Sequence, residues 1–260
     1  MTSLLTNASA MTALQTLSST NKNLSTTQNR IATGQRVAEA SDNAAYWSIS
    51  TGMKAQSNVL STVKDSLGFG TAILDTAYTG LNEAIEKASE ILAKYVSLGT
   101  DGVDATAVNA EITELKAQIT AIATSADFEG QNLLSTAGTA VDVVSGYVKG
   151  TGVTTMTIAK YDLEAAPAAI TDIASAQSTL DAMKSAAATM GATKMRFESQ
   201  TEFTSLQIDA IDRGVGQLVD ADMNAESARL SALQVQQQLG IQALSIANSN
   251  TQNILSLFRG

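Results

Sequence analysis

The chain has 260 residues, enough for one large domain or two small ones, and carries a formal net charge of −9. An acidic surface excludes phosphate-backbone recognition, and with it nucleic acid as a partner. Having neither His nor Cys, the chain lacks the commonest general base, thiolate chemistry, disulfides and the commonest metal ligands, so most enzyme templates are excluded and no cofactor or metal is expected.

No 18-residue apolar run is present, so no membrane span is expected. Residues 1–20 lack the basic start and unbroken apolar stretch of a Sec-type signal peptide. Pro occurs once, at Pro167, and aromatics make up only 4%. Few breakers allow long helices, and few aromatics favour slender helical packing with Ala and Leu at close contacts. The charge is unevenly spread. Residues 1–29 hold a single charged side chain, Lys22, and residues 230–258 hold none. Chain ends are ordinarily wet and charged. Ends of Leu, Ile and Ala mixed with Ser, Thr, Asn and Gln are composed for burial. Two such helices offer each other too little apolar surface to stay folded alone, so further copies of the chain are expected to supply it, and the ends to fold on assembly.

In chain order, Ala10, Leu14, Leu17, Asn21, Leu24, Gln28 and Ile31 step by four and three, which predicts a heptad seam along a first helix. Leu60, Val63, Leu67, Gly70, Leu74, Ala77, Leu81, Ala84, Ala88, Ile91 and Tyr95 step the same way without a charge, predicting a long helix from about 50 to 97 that ends at Gly99. Asp104 is placed to cap a second body helix with the seam Val108, Ile112, Leu115, Ile119 and Ile122, antiparallel to the first because the connection is short. Val- and Thr-rich segments 140–148 and 153–161 flank Lys149-Gly150-Thr151-Gly152 and predict a β-hairpin. Helical spacing returns after Pro167 and passes through Ile208, Ile211, Val215 and Leu218. It continues along the charge-free end through Leu230, Leu233, Gln237, Gly240, Leu244, Ala247, Thr251, Ile254 and Phe258. The fold class is therefore mainly α: long antiparallel helices of coiled-coil type, one small hairpin, and paired N- and C-terminal helices.

Several segments, in order, resemble the bacterial flagellins. Asn29-Arg30-Ile31-Ala32-Thr33-Gly34 is followed by Ala40-Ser41-Asp42-Asn43-Ala44-Ala45 and Ile49-Ser50. Phe128-Glu129-Gly130-Gln131-Asn132-Leu133-Leu134 precedes the hairpin, and Arg196-Phe197-Glu198 and Asp220-Ala221-Asp222-Met223-Asn224-Ala225-Glu226 follow it. The match closes with Gln236-Gln237-Gln238, Ala247-Asn248 and Gln252-Asn253-Ile254-Leu255-Ser256-Leu257-Phe258-Arg259. It covers the whole chain.

The resemblance implies a subunit that polymerises into the flagellar filament for swimming, with a hook–filament junction protein as the alternative in the same superfamily. It implies an axial inner domain, 1–35 with 222–260, and an outer helical domain, 36–221, carrying the hairpin at about 140–161 without further variable domains. The residues expected to drive self-assembly are Leu14, Leu17, Leu24, Ile31, Leu230, Leu233, Leu244, Ile254, Leu255, Leu257 and Phe258. Polar contacts between subunits are expected at Arg30, Arg36, Asp42, Arg196, Glu198, Asp220 and Asp222. The implied route is secretion through the flagellar type III apparatus to an extracellular filament. An export chaperone would meet the apolar end at Ile254, Leu255, Leu257 and Phe258, and junction proteins, cap proteins and other flagellins would be further partners. Leu81–Lys94 occupies the region read by an animal innate immune receptor. Lys87, Ile91 and Glu111 match the residue types implied there, whereas Ser89 stands where a second basic residue is usual. Trp47, after Ala44-Ala45, departs from the family pattern and is expected in a core or body-domain contact.

Overall fold

The computed structural model describes residues 7–257, with side chains up to Ser249. Among these the elements run α1 (Ala8–Thr33), α2 (Ala44–Ser97), α3 (Ala105–Ser125), β1 (Val141–Val148), β2 (Gly152–Ile158), α4 (Ala166–Ala169), α5 (Ile173–Val219) and α6 (Met223–Leu257). Long helices with one two-stranded antiparallel sheet give the expected mainly α chain. The chain divides into two compact units. One is Met1–Ala55 with Ile211–Gly260 and the other is Gln56–Ala210, the divisions falling within α2 and α5.

In the unit 56–210, the α2 seam is the core. Every expected seam position from Leu60 to Ile91 is buried, and Tyr95 is half-buried. Asp104 caps α3 as its position predicts, its carboxylate accepting from the Thr106 and Ala107 N–H groups at 2.9 and 3.3 Å. Ile112 and Ile119 then enter the same core. Past α3, Asn132 organises the turn: its Oδ1 accepts from Leu134 N–H at 2.8 Å and its Nδ2 donates to the Ala123 carbonyl at 2.8 Å. This ties the loop to the last turn of α3 and drops Leu133 and Leu134 into the core.

The hairpin pairs Val141 with Ile158 through to Val148 with Gly152, with one irregularity between Val144 and Gly146 that the sequence pattern does not announce. There the Gln200 side chain, on α5, donates to the Ser145 carbonyl at 2.8 Å. Val143 and Ile158 are buried at the root, while Val148 and Val153 at the tip are exposed. Gly70 permits the close approach of these layers. A Cβ at that position would lie 2.7 Å from Val143 Cγ2 and 2.8 Å from Phe197 Cε1. On α5, Ala176, Leu180, Met183, Ala187, Met190 and Phe197 complete the core at helical spacing. Asp172 and Ser175 begin the helix reciprocally, Asp172 Oδ1 accepting from Ser175 N–H and Ser175 Oγ from Asp172 N–H.

In the unit of the chain ends, α2 starts at Ala44, six residues before the expected start, because Asn43 Oδ1 accepts from the Ala45 and Tyr46 N–H groups. Trp47 thus lies on the first turn and is 39% exposed beside exposed Tyr46 and Ile49, not in a core. Gly34, with φ of +70°, ends α1 in the left-handed conformation that favours glycine.

Candidate assembly interface

The two chain ends pair with each other. Asn7 Nδ2 donates to the Ala247 carbonyl at 3.0 Å, Gln237 Nε2 to Asn21 Oδ1 at 2.7 Å, and Arg30 Nη1 to Glu226 Oε1 at 3.2 Å. One number rises as the other falls, so α1 and α6 run antiparallel. On α6 the covered face is Leu230, Leu233, Gln237, Gly240, Leu244 and Ala247, the expected seam as far as the described side chains reach, extended towards the start of the helix by Glu226, which the spacing did not include. On α1 the covered face is Ala10, Ala13, Leu17, Thr20, Leu24, Thr27 and Ile31.

The α1 seam therefore differs from its sequence reading at every second position. Ala13, Thr20 and Thr27 replace Leu14, Asn21 and Gln28, and Leu14 is 60% exposed. The physical reason is close approach. Gly240 passes near Leu17, where an added Cβ would meet Leu17 Cδ1 at 3.3 Å, and the α1 positions facing α6 must be correspondingly small. Thr20 and Thr27 tolerate burial because a threonine hydroxyl can bond within its own helix, as Thr20 Oγ1 does to the Thr16 carbonyl at 2.9 Å. Leu17, Leu24, Ile31, Leu230, Leu233 and Leu244 lie on the seam as expected. The side chains of Ile254, Leu255 and Leu257 and all of Phe258 lie outside the described residues.

Arg30, expected to pair between subunits, is engaged within the chain. Its partner Glu226 also lies 3.8 Å from Arg229. Glu226 is 8% exposed, and its Oε2 and Arg30 Nε are buried without a hydrogen-bond partner among the described residues. Sequence reasoning missed Glu226 as a site residue. A signal existed: Arg30, Glu226 and Arg229 are the charges at the borders where the chain ends become charge-poor.

Below this pair the chain threads a polar neck. Gln35 bridges Asp220, the Arg36 N–H donates to the Val219 carbonyl at 2.6 Å, and Arg36 Nη2 donates to the Leu218 carbonyl at 3.1 Å. Asp222 caps α6 by accepting from the Asn224 and Ala225 N–H groups. Asp42 accepts from the Ala38 and Glu39 N–H groups at 3.0 and 3.2 Å, and these bonds, that from Glu39 foremost, hold its carboxyl below the usual aspartate range. Arg36, Asp42 and Asp222 are thus bound to their own chain's backbone. Arg196 and Glu198, in the other unit, line separate surface hollows, the first beside Met156 and Met195 and the second beside Lys64 and Asp75.

The residues implied for immune recognition do not share one surface. Ile91 is fully buried in the core, whereas Lys87 pairs with Glu90 at 3.0 Å and Glu111 with Lys94 on the outside.

Apolar residues also remain uncovered on the ends: Met11 and Leu14 on α1, and Val235, Leu239, Ile241 and Ile246 on α6, each more than half exposed. At 100° per residue, Val235, Leu239 and Ile246 fall on the side of α6 opposite its seam. A helix apolar on opposite sides suits burial all round.

Residues 4–139 match the family model of the bacterial flagellin N-terminal helical region, and residues 163–258 match that of the bacterial flagellin C-terminal helical region. The segment between them, 140–162, contains the hairpin. The chain is 47% identical to a flagellin of Brucella melitensis biotype 1 over 282 residues, covering all of both chains. It is 41% identical to flagellin C of Rhizobium meliloti over 320 residues and 36% identical to a flagellin A of Rhizobium meliloti over 395, again covering all of each. Alignments that long against 260 residues mean that the two Rhizobium relatives carry insertions relative to this chain. The matched models at both ends, the full-length relatives and the paired terminal helices agree that the chain belongs to the bacterial flagellins, the subunits of the flagellar filament.

Proposed function

We propose that the α1–α6 pair is the axial, polymerising part of the subunit, 1–35 with 222–260, and that 36–221 forms the outer helical part. The observation that carries this reading is the double-sided apolar character of α6. One face covers α1, and the opposite face, Val235, Leu239 and Ile246, is left for neighbouring copies. The near absence of charge supports it, because burial among copies then carries no charge-desolvation penalty, while Gln, Asn, Ser and Thr can bond to neighbours.

The role is mechanical and not catalytic. The subunit leaves the cell unfolded through the flagellar type III apparatus and reaches the extracellular filament. Its C-terminal end, with Ile254, Leu255, Leu257 and Phe258, is the site for an export chaperone. Junction proteins, cap proteins and other flagellins meet it at filament ends or within the lattice. Deleting 230–260 tests the axial assignment. The truncated chain should keep the cooperative melting of the 56–210 core and fail to elongate filament seeds in negative-stain microscopy. Filaments from the truncated chain would refute it.

A further inference from the structure

The α1–α6 pair has two unlike edges. On one edge Ser9, Thr12, Ala13 and Thr16 of α1 and Gly240 and Ala243 of α6 line a groove of 430 Å³. Every lining residue is small and none is charged. On the other edge stand Met11 and Leu14 of α1 and Ile241 of α6, 61%, 60% and 54% exposed. The helical spacing accounts for the separation. On α1, Leu14 lies about 160° from Thr16. On α6, Ile241 lies about 160° from Ala243 in the same way. In an antiparallel pair whose seam lies between, these offsets put Leu14 and Ile241 on one edge and Thr16 and Ala243 on the other, with Met11 about 60° beyond Leu14 on the outer side of the same edge.

From this we propose that the ridge of Met11, Leu14 and Ile241 on one subunit seats in the Ser9–Ala243 groove of the next copy. The proposal rests on the polymerisation reading above and names the contact that this reading leaves open. Three observations select a second copy as the occupant. The groove is uncharged and so favours an uncharged guest, and the ridge supplies one on the same chain. The groove is lined by methyl, hydroxyl and hydrogen side chains, which leaves room for branched or flexible apolar ones. Ridge and groove lie on different edges, so the contact is heterologous and propagates from copy to copy without closing on itself as a two-fold dimer would.

The absence of Cys permits a clean test. A chain carrying Leu14→Cys and Ala243→Cys has its two thiols on opposite edges, too far apart in geometry to join within one subunit. Oxidised as assembled filament, it should give a ladder of disulfide-linked dimers, trimers and higher multimers on a non-reducing gel. Oxidised as dilute monomer, it should give a single-chain band. Filaments that grow normally and give no ladder overturn the ridge-in-groove contact and leave polymerisation standing. Failure of the unmodified chain to elongate seeds would instead overturn the polymerisation reading. If the double-Cys chain does not assemble, a second pair decides. Ala243→Leu should raise the concentration needed for elongation about tenfold, and adding Leu14→Ala should restore most of that loss by making room. No restoration overturns the contact.

Discussion

The seam of α2 and the seam between α1 and α6 follow the same three-and-four spacing, yet they bury different chemistry. In the unit 56–210, Leu67, Leu74, Leu81, Ile91, Ile119, Leu133, Leu134 and Phe197 are closed off from solvent. Along the α1–α6 seam, the residues buried to a comparable degree are Thr20, Thr27, Glu226 and Leu233. The first seam meets partners on several elements, α3, the hairpin and α5, so large apolar side chains are covered on all sides. The second has one helix on each side and leaves Leu14, Leu239 and Ile246 outside. Equal periodicity thus does not mean equal stability. What a stripe contributes depends on how many elements close over it.

The sharpest test of that difference is to truncate one large side chain in the closed core. Phe197→Ala should lower the stability of the soluble chain by about 3–5 kcal/mol, read by thermal or urea unfolding. Leu233→Ala should leave that unfolding transition in place and act on elongation of seeds. Loss of the main transition in the Leu233 variant would break the comparison, because the two units would then stand or fall together. Overpacking should have a smaller effect. Gly70→Ala forces a Cβ against Val143 and Phe197 and should cost about 1–3 kcal/mol in the same measurement.

In the chain ends the largest single polar contribution is expected at Glu226. Glu226→Gln weakens the bond to Arg30 and, in assembled filaments, should reduce the protection of α1 amides in hydrogen exchange, equivalent to about 1–3 kcal/mol of local stability. A double-mutant cycle with Arg30→Met separates the pair from its surroundings. The smallest effect is expected at Asp42. Its carboxyl titrates below the ordinary aspartate range in the folded chain, so its contribution is fully present at neutral pH and disappears as pH falls through that lowered value. The Ala38 and Glu39 amide resonances should therefore titrate with a midpoint below the usual aspartate value of about 3.9.

Much of the molecule was legible in the residues. The α2 seam, the Asp104 cap, the hairpin and the α6 seam as far as Ala247 lie where spacing and turn chemistry place them, because in each the apolar or capping side chain is the one covered or bonded. Where small residues enclose a contact, the reading failed. On α1, Leu14 outweighs Ala13 in any hydrophobic pattern, yet close helix approach at Gly240 selects the alanine and the threonines. Glu226 was passed over because a carboxylate on a seam reads as solvent-facing until its partner, 196 residues away, is brought beside it. Arg30, read from the sequence as a contact between subunits, has that same carboxylate as its partner within the chain. The irregular pairing at Ser145 depends on Gln200 from a distant helix, and strand alternation carries no trace of it.

The hairpin divides a fixed root from a free tip, and this bears on how the family grows. Val143 and Ile158 anchor the strands, while Lys149, Gly150 and Thr151 face solvent and the two strand ends lie side by side. New sequence spliced in at the tip would begin and end at neighbouring points, so it could fold as a separate decoration without altering the spacing of the helices beneath, and loop closure penalises such additions only weakly. The 140–162 interval between the two matched family regions lies at this socket. A subunit that takes new sequence at one plug-in point keeps its helix packing constant while the decoration changes.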